Sequence, residues 1–418
     1  MRRFAVSLGA ALVALAVPTA ASADTICEWM EFTQRVIAAD PPGAPGSLPT
    51  NGRSRTQVAL AMFEALNSID RRYDSYLDLP LADAGASQQV AAITAAYKVL
   101  HANHPSQRAM LDENYTLAME AFTDAASRDA GRAAGEAAAV AALTVGGLDP
   151  ANSVVPYRPL TRSGEWSATA LPVIEPWSIT YRPWVLPRVD AVRPPPPPAI
   201  TSARYTRDWE EVRRLGGREG SERTAYQSLM ARYRITPDMM PSLRLTADAP
   251  GRTLVQNARL FALYEMASDD AGLANAEAKL HYNFWRPITA IRNADQDGND
   301  ATARVADWVP LINTPNHPEY PCGHCTFAAV SATIMESETG PRPAGGVRVA
   351  SRSIPNAAVQ PLASWDEWVT AVSFSRILGG VHYRFSNEAG ETIGREVGRR
   401  ALAEVMQPLP VGEQRLAR

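Results

Sequence analysis

Lys279-Leu280-His281-Tyr282-Asn283-Phe284-Trp285-Arg286-Pro287 closes a long helical stretch that runs from Arg252 to about Phe284. Seven residues make two helical turns, so Lys279 and Arg286 are expected on nearly one face, drifted by about 20°. Pro287 disfavours helix at Arg286 and should end the element there. Taken alone, two cations beside Tyr282, Phe284 and Trp285 read more readily as a solvated helix face.

Helical periodicity continues on both sides. Upstream, Thr56 is a plausible N-cap before Val58, Leu60, Ala61, Phe63, Ala65 and Leu66, and the pattern recurs over Gln88–Leu100, Arg108–Ala126 and the alanine-dense Ala130–Val145. Downstream it returns over Cys325–Glu338, Ser364–Leu378 and Ala389–Met406, after shorter runs at Asp208–Leu215 and Ser221–Tyr233. Alternating strand patterns are scarce, so the expected class is all-α. Gly146–Pro198 differs: it holds twelve of the 33 prolines, including Pro194–Pro198, which excludes regular helix. Trp166, Trp177 and Trp184 make it too apolar for a free linker, and an ordered extended arm across a helical body is expected.

Residues 1–23 read as a secretory leader, with Arg2 and Arg3, an apolar Ala5–Val17 and Ala21-Ser22-Ala23 before a mature start near Asp24. This leads to an expected export to the periplasm or medium. The organisation is then 1–23 leader, 24–150 N-terminal helical region, 151–205 Pro-rich arm and 206–418 C-terminal helical region. No later segment approaches the roughly 20 apolar residues of a membrane span. A net charge of −3 over 418 residues gives no general field for nucleic acid or anionic membranes. Cys27, Cys322 and Cys325 are too few for a disulfide framework.

Two further segments carry ionisable groups. In Tyr320-Pro321-Cys322-Gly323-His324-Cys325, Pro321 suits the first turn of a new helix, whose free N–H groups would form an anion site beside His324. In Ser375-Arg376-Ile377-Leu378-Gly379-Gly380-Val381-His382, an unbroken helix would set Arg376 and His382 about 120° apart. Gly379 and Gly380 instead let His382 swing back towards Arg376. Three cations and two histidines on converging elements suit a dianion, with Arg as a bidentate fork and Lys as a point charge. Buried without an anion they would cost several kcal/mol.

Lys-x6-Arg-Pro (Lys279–Pro287), Pro-x-Gly-His (Pro321–His324) and Ser-Arg-x5-His (Ser375–His382) resemble the three-part signature of the vanadium-dependent haloperoxidase and type 2 phosphatidic acid phosphatase superfamily. The flanks Tyr282–Arg292, Asp297-Gly298-Asn299 and Thr314–Tyr320, with Pro194–Tyr205 upstream, are similar to the haloperoxidase branch. The resemblance implies a pair of four-helix bundles around vanadate. His382 would be the axial vanadium ligand, or the phosphate-accepting nucleophile of an acid phosphatase. His324 would be the acid–base residue, while Lys279, Arg286, Arg376 and the Gly323 N–H hold the oxygens. Implied partners are hydrogen peroxide, a halide and a small organic acceptor, or a phosphomonoester; an oligomer is compatible with all of them. Cys322 stands where the family has an oxyanion-binding serine, and Ser386 where many members have an aspartate that orients the histidine. His317 falls where relatives carry a residue that shapes the halide pocket.

Other readings stay open at this point. Cys322-Gly323-His324-Cys325 is similar to the dithiol site of disulfide isomerases, although no flanking strands are evident, and a bridge between the two cysteines is allowed. Asp295–Asp300 hints at a calcium loop, but the glycine falls at the fourth position instead of the sixth. His101 and His104, near a helix end, have metal-like spacing without a partner carboxylate in a known pattern.

Overall fold

The computed structural model describes residues 24–40, 51–147, 157–171, 173, 177–354 and 356–415; the expected leader at 1–23 lies outside them. Thirteen α-helices carry the fold among these residues. They are α1 (Thr25–Ala39), α2 (Asn51–Ile69), α3 (Gln88–Asn103), α4 (Arg108–Met119), α5 (Ala125–Thr144), α6 (Ala203–Gly216), α7 (Ala225–Tyr233), α8 (Met240–Ala247), α9 (Leu254–Tyr282), α10 (Pro287–Arg292), α11 (Gly323–Thr339), α12 (Trp365–Leu378) and α13 (Arg384–Glu404). A small antiparallel sheet of β1 (Pro237–Asp238), β2 (Val347–Ser351) and β3 (Gln360–Leu362) pairs Pro237 with Ser351 and Val347 with Leu362. β1 and β3 are two and three residues long, and the Val347-Arg348-Val349 alternation of β2 is too brief to stand out in the sequence.

Two bundles share α9. On one side it packs on α2, which packs with α3 and α5; on the other it packs on α11 and α13, which pack with α12. A helix serving two bundles needs apolar residues on all sides, and α9 buries Val255, Ala258, Phe261, Ala262, Leu263, Met266, Leu273 and Ala274 around its circumference. Thr253 and Gln256 start it with a reciprocal capping box. On α13, Gly390 and Gly394 lie directly on the backbone carbonyls of Cys322, the residue before α11, and of Thr326 within it. A Cβ at either position would collide with that backbone, so these glycines set how closely α11 approaches.

Several local expectations are corrected. Thr56 is not an N-cap: α2 begins five residues earlier, and the Thr56 hydroxyl donates back to the Gly52 carbonyl at 3.0 Å and to Glu265 O at 3.2 Å. The Arg108–Ala126 stretch breaks after Met119, and Asp124 caps α5 anew. α1, α8 and α10 were not foreseen, and α6 starts at Ala203, inside the stretch given to the arm.

The described part of the arm is tied to α9. Asp270 accepts the N–H groups of Trp184, Val185 and Leu186 at 2.7, 2.7 and 2.8 Å. Trp184 is buried, its indole donates to Asp269 at 2.8 Å, and Arg53 lies 4.4 Å over its ring. Further along, the carbonyls of Pro194 and Pro195 accept from the hydroxyls of Tyr282 and Tyr320. Prolines donate nothing, so their carbonyls are what an extended run can offer.

Candidate oxyanion site

Lys279 lies in the last turn of α9, which stops at Tyr282 because Asn283 takes a left-handed conformation at φ 43°. The chain then runs extended, and Arg286 is the N-cap of α10, with Pro287 at the first helical position. Lys279 and Arg286 are therefore not on one helical face, as their spacing suggested. They meet because the intervening segment bends, and the arm fixes that bend: Trp166 N–H donates to Asn283 O at 2.8 Å, and Trp285 N–H to Gly164 O at 3.1 Å.

Both cations converge on the loop 317–321. The Lys279 ammonium donates to the carbonyls of Pro318 at 3.0 Å, Glu319 at 2.8 Å and Pro321. Arg286 donates to His317 O at 3.0 Å, Pro318 O at 3.3 Å and Val381 O at 2.8 Å. Its two terminal nitrogens lie 3.1 Å from His317 Nδ1 and from His382 Nε2. A guanidinium only donates, so His382 Nε2 is an acceptor, whereas His317 Nδ1 stands between that guanidinium and the Pro318 carbonyl, also at 3.1 Å. His382 then carries its proton on Nδ1, which donates to Glu319 Oε1 at 2.7 Å. Tyr383 N–H donates to the same oxygen at 3.1 Å.

Pro321 precedes the next helix instead of opening it, and the Tyr320–Pro321 peptide is cis. Cys322 is the N-cap of α11, and its Sγ accepts the Cys325 N–H at 3.2 Å. Gly323 and His324 head the helix and line the adjoining cavity with Lys279 and His382. His324 Nε2 lies 2.9 Å from Ile235 O, which only accepts, so this nitrogen bears the proton. Arg376 lies in the last turn of α12; Gly379 caps it, and Gly380, at φ 76°, turns the chain so that Val381 N–H returns to Arg376 O at 3.2 Å. Arg376 is 1 % exposed, and its Nε and Nη1 have no acceptor.

The electrostatics follow from crowding and dryness. Burial first, then Arg286, pushes Lys279 down to about 7. Burial likewise lowers Arg286 to about 10, although Glu319 opposes it. His382 is held well below the ordinary imidazole value by burial and then by Arg286, Lys279 and Arg376. Burial and then Arg376 push His324 down to about 3. Burial lifts Glu319 to about 7 against Arg286 and Lys279. Burial would raise the Cys322 thiol, but Cys325 and Arg376 outweigh it and the net direction is down. Lys279, Arg286 and Arg376 all act on His324 and His382, and Arg376 and Lys279 on Cys322, which puts these six residues in one neighbourhood.

Glu319 is the residue that sequence reasoning missed. The orienting carboxylate was sought four residues after His382, where Ser386 stands 3.5 Å from Nδ1. It comes from the loop before the second motif, and its one visible signal was an acid between Pro318 and Tyr320. Behind it, Tyr205, Phe284, Tyr320, Tyr383 and Phe385 form an aromatic wall, with Tyr383 and Phe385 stacked at 5.0 Å.

The alternatives separate here. Cys322, Cys325 and Cys27 are free thiols, and no strand leads into Cys322 as a thioredoxin fold requires. Asp297 accepts Asn299 N–H at 2.8 Å and Thr302 Oγ1 at 2.7 Å, which makes a polar turn of the calcium-like stretch. His104 is buried between Ser54 and Asp40, and His101 faces Asp112. No cluster of three His, Cys, Asp or Glu side chains suited to a metal cation occurs among the described residues.

Residues 259–410, which include all three motifs, match the model of the VCPO second helical-bundle domain. Over 76 residues the chain is 36% identical to the vanadium chloroperoxidase of Curvularia inaequalis, a stretch that is 17% of this chain and 12% of that protein. The first bacterial vanadium-dependent iodoperoxidase superposes with a TM-score of 0.73 at 18% identity, covering 94% of this chain and 99% of the other. An apo-type bacterial vanadium-dependent chloroperoxidase gives 0.65 at 16% identity, covering 88% and 96%. At such identities the superpositions establish the fold.

Proposed function

From a chain that carries the second helical bundle of the vanadium chloroperoxidases and shares the haloperoxidase fold, we propose a vanadium-dependent haloperoxidase-like enzyme that oxidises halide with hydrogen peroxide. The observation that carries this reading is Arg376, whose Nε and Nη1 are buried with no acceptor beside two further cations. A lone buried cation is costly until an anion meets it. Vanadate fits: it is tetrahedral and anionic, needs one nitrogen ligand, and His382 Nε2 offers a lone pair towards Arg286. When bound, it supplies the Lewis-acid centre that activates peroxide.

The chain's own residues do the rest. Glu319 holds the His382 proton on Nδ1 and so keeps Nε2 unprotonated and aimed. Arg376 would hold the anion's oxygens with its unmet Nε and Nη1, Arg286 and Lys279 would each join by giving up one of their present carbonyl partners, and the Gly323 N–H at the head of α11 would donate. Cys322 stands beside these groups as a weak donor. His324 is neutral, and its Nδ1 can take a proton from peroxide or return one. The net reaction, X− + H2O2 + H+ → HOX + H2O, consumes one proton. Residues 1–23 support export as part of this proposal. No helix among the described residues is long and apolar enough to cross a membrane.

The deciding experiment loads the purified protein with orthovanadate and follows bromide- and peroxide-dependent bromination. Turnover that His382→Ala abolishes is the expected result; its absence in the loaded wild type would overturn the reading. A second reading is an acid phosphatase acting through a phosphohistidine, favoured by the same neutral His382 with an unprotonated Nε2. There Nε2 attacks phosphorus, the P–O bond breaks, and the leaving alkoxide takes a proton. Phosphomonoester hydrolysis without vanadate, inhibited by adding it, identifies that case.

A further inference from the structure

The cavity that reaches Lys279, His324 and His382 has a volume of about 1110 Å³ among the described residues. That is far more than a halide, a peroxide and one oxyanion require, since a water occupies roughly 30 Å³ of liquid. It is the size that encloses a drug-sized organic molecule, roughly 300–1,000 Å³. Its walls away from the oxyanion site are Met30, Met239, Met240, Leu243, Phe261 and Trp368, drawn from α1, α8, α9 and α12 and the turn before α8.

We propose that this chamber binds the organic acceptor itself, an uncharged, apolar molecule of two or three aromatic rings, next to the point where oxidised halogen forms. The inference rests on the haloperoxidase reading and deepens it.

Charge distribution selects the class. The charged groups in the far wall are paired with each other, Arg55 with Glu265 at 3.1 Å and Arg352 with Asp238 at 2.9 Å. Those two pairs offer an incoming headgroup no unmet charge, while the cations at the Lys279 end are buried and the exposed Arg158 of the arm, which also lines the cavity, faces solvent. The Trp368 indole N–H is 3.3 Å from Ser331 Oγ, so its polar edge is occupied and its ring remains as apolar surface. Three methionines line this wall, and thioether sulfur packs favourably and adaptably against aromatic rings. Tyr157 and Trp166 of the arm line the same cavity, so the arm forms part of its wall.

An acceptor held here meets hypohalous acid before it escapes: Ar–H + HOX → Ar–X + H2O. The C–X bond forms, the C–H and X–O bonds break, and the proton leaves with hydroxide as water. Preorganisation of this kind raises the effective concentration of the acceptor over that in bulk solvent.

The test uses N-phenyl-1-naphthylamine, a neutral three-ring fluorophore, titrated into the full-chain protein, with orthovanadate binding measured separately by calorimetry. Saturable one-site binding is expected, insensitive to salt and weakened at least about tenfold, or 1.4 kcal/mol, by Leu243→Trp, which fills the chamber. Orthovanadate affinity should be retained in that variant. Should Leu243→Trp fail to fold by circular dichroism, Met239→Glu, which charges the same wall, is expected to give the same loss. With vanadate, bromide and peroxide present, the variant that folds should raise the KM for 2-naphthol by a similar factor and leave kcat in place. Equal probe binding in wild type and the folded variant, or no saturable binding at all, overturns the chamber proposal even if vanadate binds and bromination proceeds. Probe binding in the chamber without any vanadate binding would sink the oxyanion reading instead.

Discussion

Replacing Arg376 by methionine should make the unliganded protein more stable and the liganded protein less so. In the wild type, Nε and Nη1 of Arg376 are buried without an acceptor. An unsatisfied buried donor costs roughly 1–3 kcal/mol. Methionine is similar in length, carries no donor and fills a core position well. Part of the gain is lost to imperfect packing, so a net stabilisation of about 1–3 kcal/mol is expected in vanadate-free buffer. Orthovanadate at a hundred times its dissociation constant should stabilise the wild type by about 2.7 kcal/mol. The variant should gain little, so the order of the two melting temperatures reverses on adding the anion. Paired thermal melts with and without orthovanadate, after removal of phosphate by dialysis, measure this directly. A variant that melts lower without the anion, and still responds fully to it, would refute the reasoning that Arg376 is an unmet cation.

Other outcomes follow from the same geometry. Glu319→Gln keeps an oxygen for His382 Nδ1 and Tyr383 N–H but loses the charge, so vanadate affinity should fall about tenfold; Glu319→Ala should cost up to about a hundredfold, both read by calorimetry. Lys279 has a folded value near 7 against 10.5 for the free group. Between those pH values the unfolded chain binds the extra proton, so unliganded stability should rise with pH across that window and carry the full penalty below it. Denaturant titrations should show this slope in the wild type and not in Lys279→Met. Gly390→Val drives a side chain into the Cys322 carbonyl at the head of α11. It should destabilise by about 1–3 kcal/mol or more, with vanadate affinity falling in the same calorimetric assay.

Much of this was visible in the chain before it folded. The helices with strong apolar periodicity, such as α3 and α12, stand within a few residues of where their patterns put them. The three motifs meet around one point because each sits at a helix end, where Gly, Pro or Asn announces a break. What could not be read was local detail decided by distant partners. Asn283 and the arm, not helical phase, bring Arg286 to Lys279. β1 is two residues long, and α10 holds only six, too short for any period to register. Glu319 was hidden because a carboxylate partner can come from any segment that folds nearby, and spacing along the chain says nothing about that.

The bridge between Gly164–Trp166 and Asn283–Trp285 has a consequence for dissecting the molecule. Residues 259–410 hold every motif residue, yet the clasp that sets the distance between two of them is donated by a segment about a hundred residues upstream. A fragment trimmed to the motifs would keep the ingredients and lose the gauge that spaces them. Supplying a peptide that spans Arg162–Trp166 to such a fragment, or grafting that peptide onto its start, would return the gauge without adding a single charged group to the pocket.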